Sequence, residues 1–168
     1  MYSVSNGGSL RIRMHPRALR GSIAGSPRVN HPAGSGLTVT GSNTKLQGLK
    51  VLVIDDSKTI RRTAETLLAK EGCEVFTAID GFDALAKIAD HQPDIVFVDI
   101  MMPRLDGYQT CSLIKHNKVF RSIPVIMLSS KDGLFDRARG RIVGSEHYLT
   151  KPFTKDELLS AIETHVGR

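Results

Sequence analysis

The sequence has little cysteine and no long apolar run. Its two cysteines, Cys73 and Cys111, stand far apart, which excludes the close pairing of a zinc knuckle or a redox motif. We interpret both as small buried residues. No apolar stretch approaches the roughly 18 residues that would cross a bilayer. We therefore expect a soluble, cytoplasmic protein without membrane insertion.

Acidic residues are missing from residues 1–48, and this imbalance accounts for the net charge of +6. The basic side chains there are Arg11, Arg13, Arg17, Arg20, Arg28 and Lys45, and the rest of the chain carries 17 basic and 17 acidic side chains. The segment is rich in Gly, Ser, Pro and Arg without an apolar pattern, which predicts a disordered tail. An organellar transit peptide, a basic arm for nucleic acid or lipid, and a misassigned start codon stay open as alternatives.

From Leu49 onward, short apolar runs alternate with segments of helical period. The predicted strands are Lys50–Ile54, Glu74–Ala78, Ile95–Val98, Val125–Leu128 and His147–Leu149. The first, third and fourth are almost continuously apolar, as expected for strands buried on both faces. The pattern predicts one α/β domain over residues 49–168, with a five-stranded parallel sheet and helices on both faces, a (βα)5 arrangement.

The helical segments have recognisable ends. They are expected at about 58–70, from 81 to before Pro93, at about 108–116 and 134–142, and after Thr154. Ser57 is a plausible cap of the first helix, and Thr154 with Glu157 forms a capping box for the last. In the second helix we expect Phe82, Leu85, Ile88 and Ala89 to face inward.

Polar side chains follow four of the five strands. Asp55 and Asp56 follow the first strand, Asp99 the third, Ser129 the fourth and Lys151 the fifth. Because the carboxyl ends of neighbouring parallel strands share one edge of an open sheet, these groups should converge there. The sequence thus predicts a site built from residues spread over much of the domain.

The chemistry of this predicted site points to phosphoryl transfer. Three adjacent carboxylates would repel one another, so they require positive charge between them. Hard oxygen ligands favour Mg²⁺, whose two charges together with Lys151 balance the three acids. A neutralised carboxylate that stays accessible can act as a nucleophile toward phosphorus. The metal, the ammonium and the Ser129 hydroxyl would then stabilise the phosphoryl oxygens.

Each of these residues also has an ordinary structural interpretation. The acid pair could cap the first helix, Asp99 could cap the turn toward Pro103, Ser129 could cap the fourth helix, and Lys151 could be a surface charge. Their joint occurrence at strand ends, in a five-unit alternation, favours the site.

The motifs at these positions resemble the receiver domains of two-component response regulators, the CheY-like family with a flavodoxin-like fold. The matching stretches are VIDDS (53–57), VDIMMPRLDG (98–107), PVIMLSS (124–130) and YLTKPF (148–153). The resemblance implies that Asp99 accepts phosphate from a histidine kinase. It also implies that Asp56 and Asp99 bind Mg²⁺ directly, with Asp55 acting through water and the Met101 carbonyl completing the ligands.

The resemblance further implies a switch. Ser129 and Lys151 would contact the phosphoryl group, and the Lys151–Pro152 bond would be cis. Tyr148 would turn inward when Ser129 moves, which would remodel the surface of the fourth helix, fifth strand and fifth helix for a partner protein. Met101 and Ser129 depart from the Asn and Thr of common receiver patterns.

Longer runs, at 55–65, 78–88 and 129–136, resemble receivers of type IV pilus systems. That resemblance implies a chemotaxis-type histidine kinase as phosphodonor, and an effector in the pilus-assembly machinery that controls twitching motility. Since nothing follows Arg168 and no DNA-binding unit precedes Leu49, we expect a single-domain regulator that signals through protein contact. It would catalyse only its own phosphorylation and dephosphorylation.

Two other functional classes remain as alternatives. A metal-dependent phosphatase or nuclease could use the same acids, but the chain lacks an inserted cap or second acid pair to shape a substrate pocket. A transcription regulator could bind DNA through the basic tail, but that tail has no element that reads a groove. We therefore expect no nucleic-acid partner.

Overall fold

Five strands and five helices alternate along the part of the chain that the structure describes. The structure is a computed structural model and describes residues 46–130 and 134–166, apart from the side chains of residues 134 and 135. The strands are β1 (Lys50–Ile54), β2 (Glu74–Ala78), β3 (Ile95–Asp99), β4 (Val125–Ser129) and β5 (His147–Thr150). The helices are α1 (Lys58–Lys70), α2 (Gly81–His91), α3 (Gly107–His116), α4 (Leu134–Ile142) and α5 (Lys155–His165). Most of the predicted tail, residues 1–45, lies outside the described residues.

All five strands lie in one parallel sheet, which confirms the predicted α/β fold. Their order is β2-β1-β3-β4-β5. β1 and β3 pair with Ile54 opposite Val98, and β4 and β5 pair with Ser129 opposite Thr150. The carboxyl ends of β1, β3, β4 and β5 consequently meet along one edge of the sheet.

The apolar strands supply two cores because successive side chains of a strand point to opposite faces. Val53 and Phe97 pack with residues of α1 and α5, including Leu68 and Ile162. On the other face a second cluster joins the sheet to α2 and α3; its members include Leu52, Ile54, Val96, Val98, Ile88 and Ile114. Both faces of the central strands are therefore covered, as their composition predicts.

The last strands run slightly further than the apolar patterns indicate. β3 includes Asp99, β4 includes Ser129 and β5 includes Thr150. These polar residues still pair with a neighbouring strand, since Asp99 lies opposite Leu128 and Ser129 opposite Thr150. The end of each strand therefore lies where backbone pairing stops, and not where the apolar side chains stop. Asp99 and Ser129 are thus fixed by the sheet.

Helix α2 buries a different face from the one that the sequence predicts. Its buried face contains Gly81, Ala84 and Ile88, spaced three and four residues apart. Phe82 lies outside this stripe and is 56% exposed, so the expectation that it faces inward is wrong. Ala89 is likewise exposed. The Arg104 guanidinium lies 5.7 Å from the centroid of the Phe82 ring and partly covers it.

Other local predictions agree with the structure. The Ser57 hydroxyl accepts from the amide of Ile60, and Thr154 and Glu157 form the expected capping box. Both cysteines are buried and free. Packing of the domain begins before the predicted boundary, because Leu46 is only 2% exposed and belongs to the core. No helix in the described part of the chain is both long and apolar enough to span a membrane.

Candidate functional site

Three carboxylates from two strands lie together at the carboxyl edge of the sheet. One oxygen from each of Asp55, Asp56 and Asp99 lies within 4.8 Å of the others. Asp55 and Asp99 are buried, whereas Asp56 is exposed. Asp55 and Asp56 directly follow β1, and Asp99 ends the neighbouring strand β3. Strand order thus accounts for the convergence of acids that are distant in sequence.

Asp55 is held by several contacts. Its Oδ1 accepts from the amide of Ser57 at 2.9 Å, a local turn at the start of α1. Its backbone carbonyl accepts from Nη1 of Arg61 at 2.7 Å, and its own amide donates to the carbonyl of Ala78 at 3.1 Å. The contact with Arg61 could not be predicted from the sequence, because an arginine in a first helical turn usually lies in solvent. Asp55 therefore has a structural role in addition to its charge.

Lys151 brings an ammonium group between the two buried acids. Its Nζ lies 3.0 Å from Oδ2 of Asp55 and 3.0 Å from Oδ1 of Asp99. The side chain is only 16% exposed, so it is not a surface charge. The Lys151–Pro152 bond is cis, as the family resemblance implies. The Lys151 amide also donates to the carbonyl of Ser129 at 2.6 Å, which ties the end of β5 to β4.

The electrostatics of Asp99 reflect this crowding. Burial and then the charge of Asp55 raise the pKa of Asp99 to about 6, against the opposing effects of Lys151 and of the Met101 amide. Burial alone would lower the pKa of Lys151, but its hydrogen bonds to Asp55 and Asp99 outweigh burial and raise it. One ammonium thus pairs with two acids of a cluster of three. The cluster retains negative charge that a divalent cation could balance.

The donor set fits a hard divalent cation. Among the described residues, Asp55, Asp56 and Asp99 form the one cluster of three or more potential ligands from Asp, Glu, His and Cys. All three donors are carboxylate oxygens, which suit Mg²⁺ better than a softer metal. Receiver domains in general bind Mg²⁺ at such an acidic pocket.

Gly107 allows α3 to begin directly against Asp99. A Cβ at position 107 would lie 2.3 Å from the carbonyl oxygen of Asp99 and 2.8 Å from the Cα of Ile100. The Gly107 amide donates to the Ile100 carbonyl at 3.0 Å. Asp106 caps the helix, its side chain accepting from the Gln109 amide at 2.8 Å. The one indication of this contact in the sequence is the glycine itself, a residue that permits close approach of another backbone.

The remaining predicted residues lie around the acids. Ser129 is buried at the end of β4, between the strands that carry Asp99 and Lys151. Met101 is 73% exposed, and its amide lies 3.4 Å from Oδ1 of Asp99. Tyr148 lies on β5 opposite Met127 and is partly buried, so it is not next to the acids. The Arg137 guanidinium lies 5.3 Å from its ring centroid.

The response regulator receiver domain matches residues 51–163 of the chain. With the five-stranded fold and the acid-lysine cluster, this match shows that the chain belongs to the response regulator receiver family. It is a homologue of protein PilG of Pseudomonas aeruginosa, to which it is 80% identical over 119 residues. That alignment covers 71% of this chain and 88% of PilG.

Solved structures of receiver proteins share the fold. The chemotaxis protein CheY4 of Vibrio cholerae is 31% identical with a TM-score of 0.68, over 70% of this chain and 98% of CheY4. The receiver domain of Francisella response regulator 1452 is 36% identical with a TM-score of 0.65, over 71% of this chain and 97% of that domain. The match thus extends over nearly the full length of both receiver structures.

Proposed function

We propose that the protein is a phosphoacceptor response regulator in which Asp99 takes a phosphoryl group from a chemotaxis-type histidine kinase. The observation that carries this proposal is the position of the Lys151 ammonium, 3.0 Å from an oxygen of Asp99 and 3.0 Å from an oxygen of Asp55. A largely buried lysine aimed at the nucleophile is poised to meet the negative charge of an incoming phosphoryl group.

Transfer would occur by attack of an Asp99 carboxylate oxygen on the phosphorus of a phosphohistidine. The new P–O bond forms as the P–N bond breaks, and the electron pair remains on the donor imidazole. Lys151 and the Ser129 hydroxyl would contact the transferred oxygens. The sheet holds Asp99 and Ser129 in place through backbone pairing, which reduces the entropic cost of reaching the reactive geometry.

Mg²⁺ would be held by Asp56 and Asp99, with Asp55 acting through water and the Met101 carbonyl as a further ligand. When bound, it would neutralise charge on the transferred phosphoryl oxygens. The residues in place support this assignment, since three carboxylates lie together and one ammonium pairs with two of them. The protein would act as a signalling module whose only catalysis is its own phosphorylation and dephosphorylation.

Output would arise from a population shift on the face formed by α4, β5 and α5. Movement of Ser129 toward the phosphoryl group would let Tyr148 turn inward. Tyr148 is partly buried already and is packed against the core. Because the Arg137 guanidinium lies 5.3 Å from its ring, a turn of this ring would also change the exposed surface of α4.

The chemistry is tested by incubation with acetyl phosphate and Mg²⁺, followed by intact mass and peptide mapping. We expect wild type to gain one phosphoryl group on Asp99 and Asp99→Asn to gain none. Asp90→Asn serves as the matched control, because Asp90 is an exposed acid on α2 away from the cluster. Equal labelling of Asp99→Asn and wild type would overturn the assignment.

The cellular role is proposed to be control of type IV pilus function. It is supported by 80% identity to PilG over most of that protein. Expression of this chain in a Pseudomonas aeruginosa strain that lacks PilG should restore twitching on a surface, and the Asp99→Asn variant should not. If neither wild type nor the variant restores twitching at matched protein levels, the pilus role is wrong, whereas labelling of Asp99 would remain valid.

A further inference from the structure

Arg104 adopts a backbone conformation that residues with a side chain rarely take. Its φ is +67°, in the left-handed region, and it lies between β3 and α3 in residues 100–106, which we call the β3–α3 segment. Among the described residues, Gln92 is the other non-glycine residue with positive φ, and it caps the end of α2. Arg104 caps no helix. Strain of this kind persists only where the surroundings impose it, and it is concentrated at functional sites.

The side chain of Arg104 is tied to an acid at the start of α2. Its Nη2 lies 2.5 Å from Oδ2 of Asp80. The side chain of Asp80 is only 10% exposed, whereas that of Arg104 is 69% exposed. An ion pair with so exposed a member adds little to stability. Stability alone therefore gives no reason to keep an arginine in a strained backbone conformation at this position.

Asp80 is itself fixed by the helix that it caps. Its Oδ1 accepts from the amide of Asp83 at 2.8 Å, and its carbonyl accepts from the amide of Ala84 at 3.0 Å. The other carboxylate oxygen binds Arg104. The ring of Phe82, in the first turn of the same helix, lies 5.7 Å from the Arg104 guanidinium. The start of α2 thus holds Arg104 from two sides.

Gly81 brings the start of α2 into direct contact with the β3–α3 segment. A Cβ at position 81 would lie 2.6 Å from Cδ2 of Leu105 and 2.4 Å from Oγ1 of Thr110. The Thr110 hydroxyl donates to the carbonyl of Asp106 at 2.8 Å. The segment therefore rests on a support that the N-terminus of α2 provides, and the pair of Asp80 and Arg104 lies at the edge of this contact.

The supported segment carries the Met101 carbonyl, which is proposed above as a ligand of Mg²⁺. The Ile100 amide donates to the carbonyl of Leu128 at 3.0 Å, so the segment is fixed where it leaves β3. Met102 is buried in the core, and Arg104 is tied to Asp80. The side chain of Met101 is 73% exposed and belongs to neither core cluster. The backbone at Met101 is consequently set by its neighbours and not by its own side chain.

We propose that Asp80 and Arg104 are positioning residues for the Mg²⁺ site, because their ion pair holds the β3–α3 segment in the conformation that offers the Met101 carbonyl to the metal. Neither residue is a ligand. The proposal rests on the proposed function, since it assigns the support of one ligand of that site. Loss of the pair would leave the three carboxylates in place and loosen the carbonyl, so Mg²⁺ would bind more weakly.

Calorimetric titration of the full chain with MgCl2 tests the proposal through the sign of the change. Charge alone predicts opposite effects, since loss of the cation in Arg104→Ala would favour Mg²⁺ and loss of the acid in Asp80→Asn would disfavour it. Positioning predicts that both variants bind Mg²⁺ about three- to tenfold more weakly than wild type. Asparagine caps a helix as well as aspartate does, so Asp80→Asn should fold.

The double variant and a matched control complete the titration. Asp80→Asn combined with Arg104→Ala should bind Mg²⁺ about as weakly as either single variant, because each substitution already breaks the same contact. Arg121→Ala should bind like wild type, since Arg121 is an exposed arginine between α3 and β4. Arg104→Ala that binds Mg²⁺ as tightly as wild type, or more tightly, would overturn the proposal. So would losses that add in the double variant.

Arg104→Gly separates positioning from backbone strain. Glycine accepts a positive φ without strain, so this variant should unfold at a higher urea concentration than Arg104→Ala. It should nevertheless bind Mg²⁺ no more tightly than Arg104→Ala, and amide exchange in residues 100–106 of the metal-free protein should be faster than in wild type. Recovery of wild-type Mg²⁺ affinity in Arg104→Gly would show that the ion pair has no positioning role.

Labelling with acetyl phosphate lets the two proposals fail separately. A wild-type protein that binds Mg²⁺ and takes up phosphate on Asp99, with variants of unchanged Mg²⁺ affinity, contradicts the positioning roles alone. A wild-type protein that binds no Mg²⁺ and takes up no phosphate contradicts the proposed function, and the positioning roles with it.

Discussion

The phenol of Tyr108 donates to Asp136, its oxygen lying 3.2 Å from Oδ1 of the carboxylate and 3.3 Å from the backbone oxygen of the same residue. This contact joins the first turn of α3 to the first turn of α4. The Arg139 guanidinium lies 4.4 Å from the centroid of the Tyr108 ring. Burial, followed by the charge of Asp136, raises the pKa of Tyr108 to about 12. The start of α3, beside Asp99, is thereby linked to the surface proposed for output.

Removal of this hydroxyl should loosen α4 without disturbing the core. We expect Tyr108→Phe to lower the free energy of unfolding by about 1 kcal/mol, because Asp136 loses a hydrogen bond while the ring stays packed. Urea unfolding in the absence of phosphate and Mg²⁺ measures the change. Amide exchange should increase in α4 and not in α1. Equal stability with unchanged exchange in α4 would show that the hydroxyl contributes nothing to this link.

The raised pKa of Asp99 predicts an unusual dependence of stability on pH. Asp99 in the folded protein holds a proton up to about pH 6, above its ordinary value. The folded state therefore binds this proton more tightly than the unfolded state does, and Asp99 costs stability progressively as pH rises from its ordinary pKa near 4 to about 6. In metal-free buffer at about pH 7.5, Asp99→Asn should be more stable than wild type by on the order of 1–3 kcal/mol.

The difference between the two proteins should shrink as pH falls from about 6 toward about 3, below the ordinary pKa of an Asp side chain, where Asp99 is protonated in both the folded and the unfolded state. Denaturant unfolding of the pair at a series of pH values measures it and cancels the contributions of other carboxylates. A variant less stable than wild type at pH 7.5 would mean that the pairing of Asp99 with Lys151 outweighs its burial.

The sheet was predicted well from the sequence because strands that are buried on both faces are almost entirely apolar. Nearly continuous apolar runs identified β1, β3 and β4, and parallel pairing then required Asp55, Asp99, Ser129 and Lys151 to approach one edge. The buried face of α2 was harder to predict from the sequence. Hydrophobicity marks Phe82 as apolar but does not tell which side of the helix the neighbouring loop covers, and Ala84 faces the core instead.

Contacts between distant residues could not be derived from the pattern alone. The ammonium of Lys151 reaches Asp55 and Asp99 together only because β1, β3, β4 and β5 have a particular register. The pKa of Asp99 depends on burial and on the distance to Asp55, neither of which composition contains. Arg61 contacts the backbone carbonyl of Asp55, and Tyr108 contacts Asp136 in another helix. No local motif therefore indicated their roles.

Binding of Mg²⁺ should stabilise the folded protein through the acid cluster. At a free concentration about a hundredfold above the dissociation constant, a ligand of the folded state adds about 2.7 kcal/mol. We expect the melting temperature of wild type to rise with added MgCl2 and to return when EDTA is added. Asp99→Asn and Asp56→Asn should show a smaller rise, and Asp90→Asn should respond like wild type. Equal shifts for all four proteins would place the metal elsewhere.

Gly107 lies so close to the backbone of Asp99 that a side chain at position 107 should disturb the start of α3. In Gly107→Ala the added methyl group would meet the backbone of Asp99 and Ile100 at 2.3 and 2.8 Å. Backbone atoms of a central strand cannot move aside easily, so α3 must shift. We expect a loss of about 1–3 kcal/mol in unfolding free energy and slower labelling of Asp99 by acetyl phosphate.

Gly140→Ala provides the comparison within the same protein. A Cβ at Gly140, in α4, would lie 3.0 Å from the hydroxyl of Ser145 and 3.6 Å from Cγ of Met127. Ser145 has a side chain that can rotate, and alanine favours a helix over glycine by about 1 kcal/mol. We therefore expect Gly140→Ala to match or exceed wild type in stability and to label Asp99 normally. If the two variants behave alike, helix propensity rather than the contact with Asp99 determines the effect at position 107.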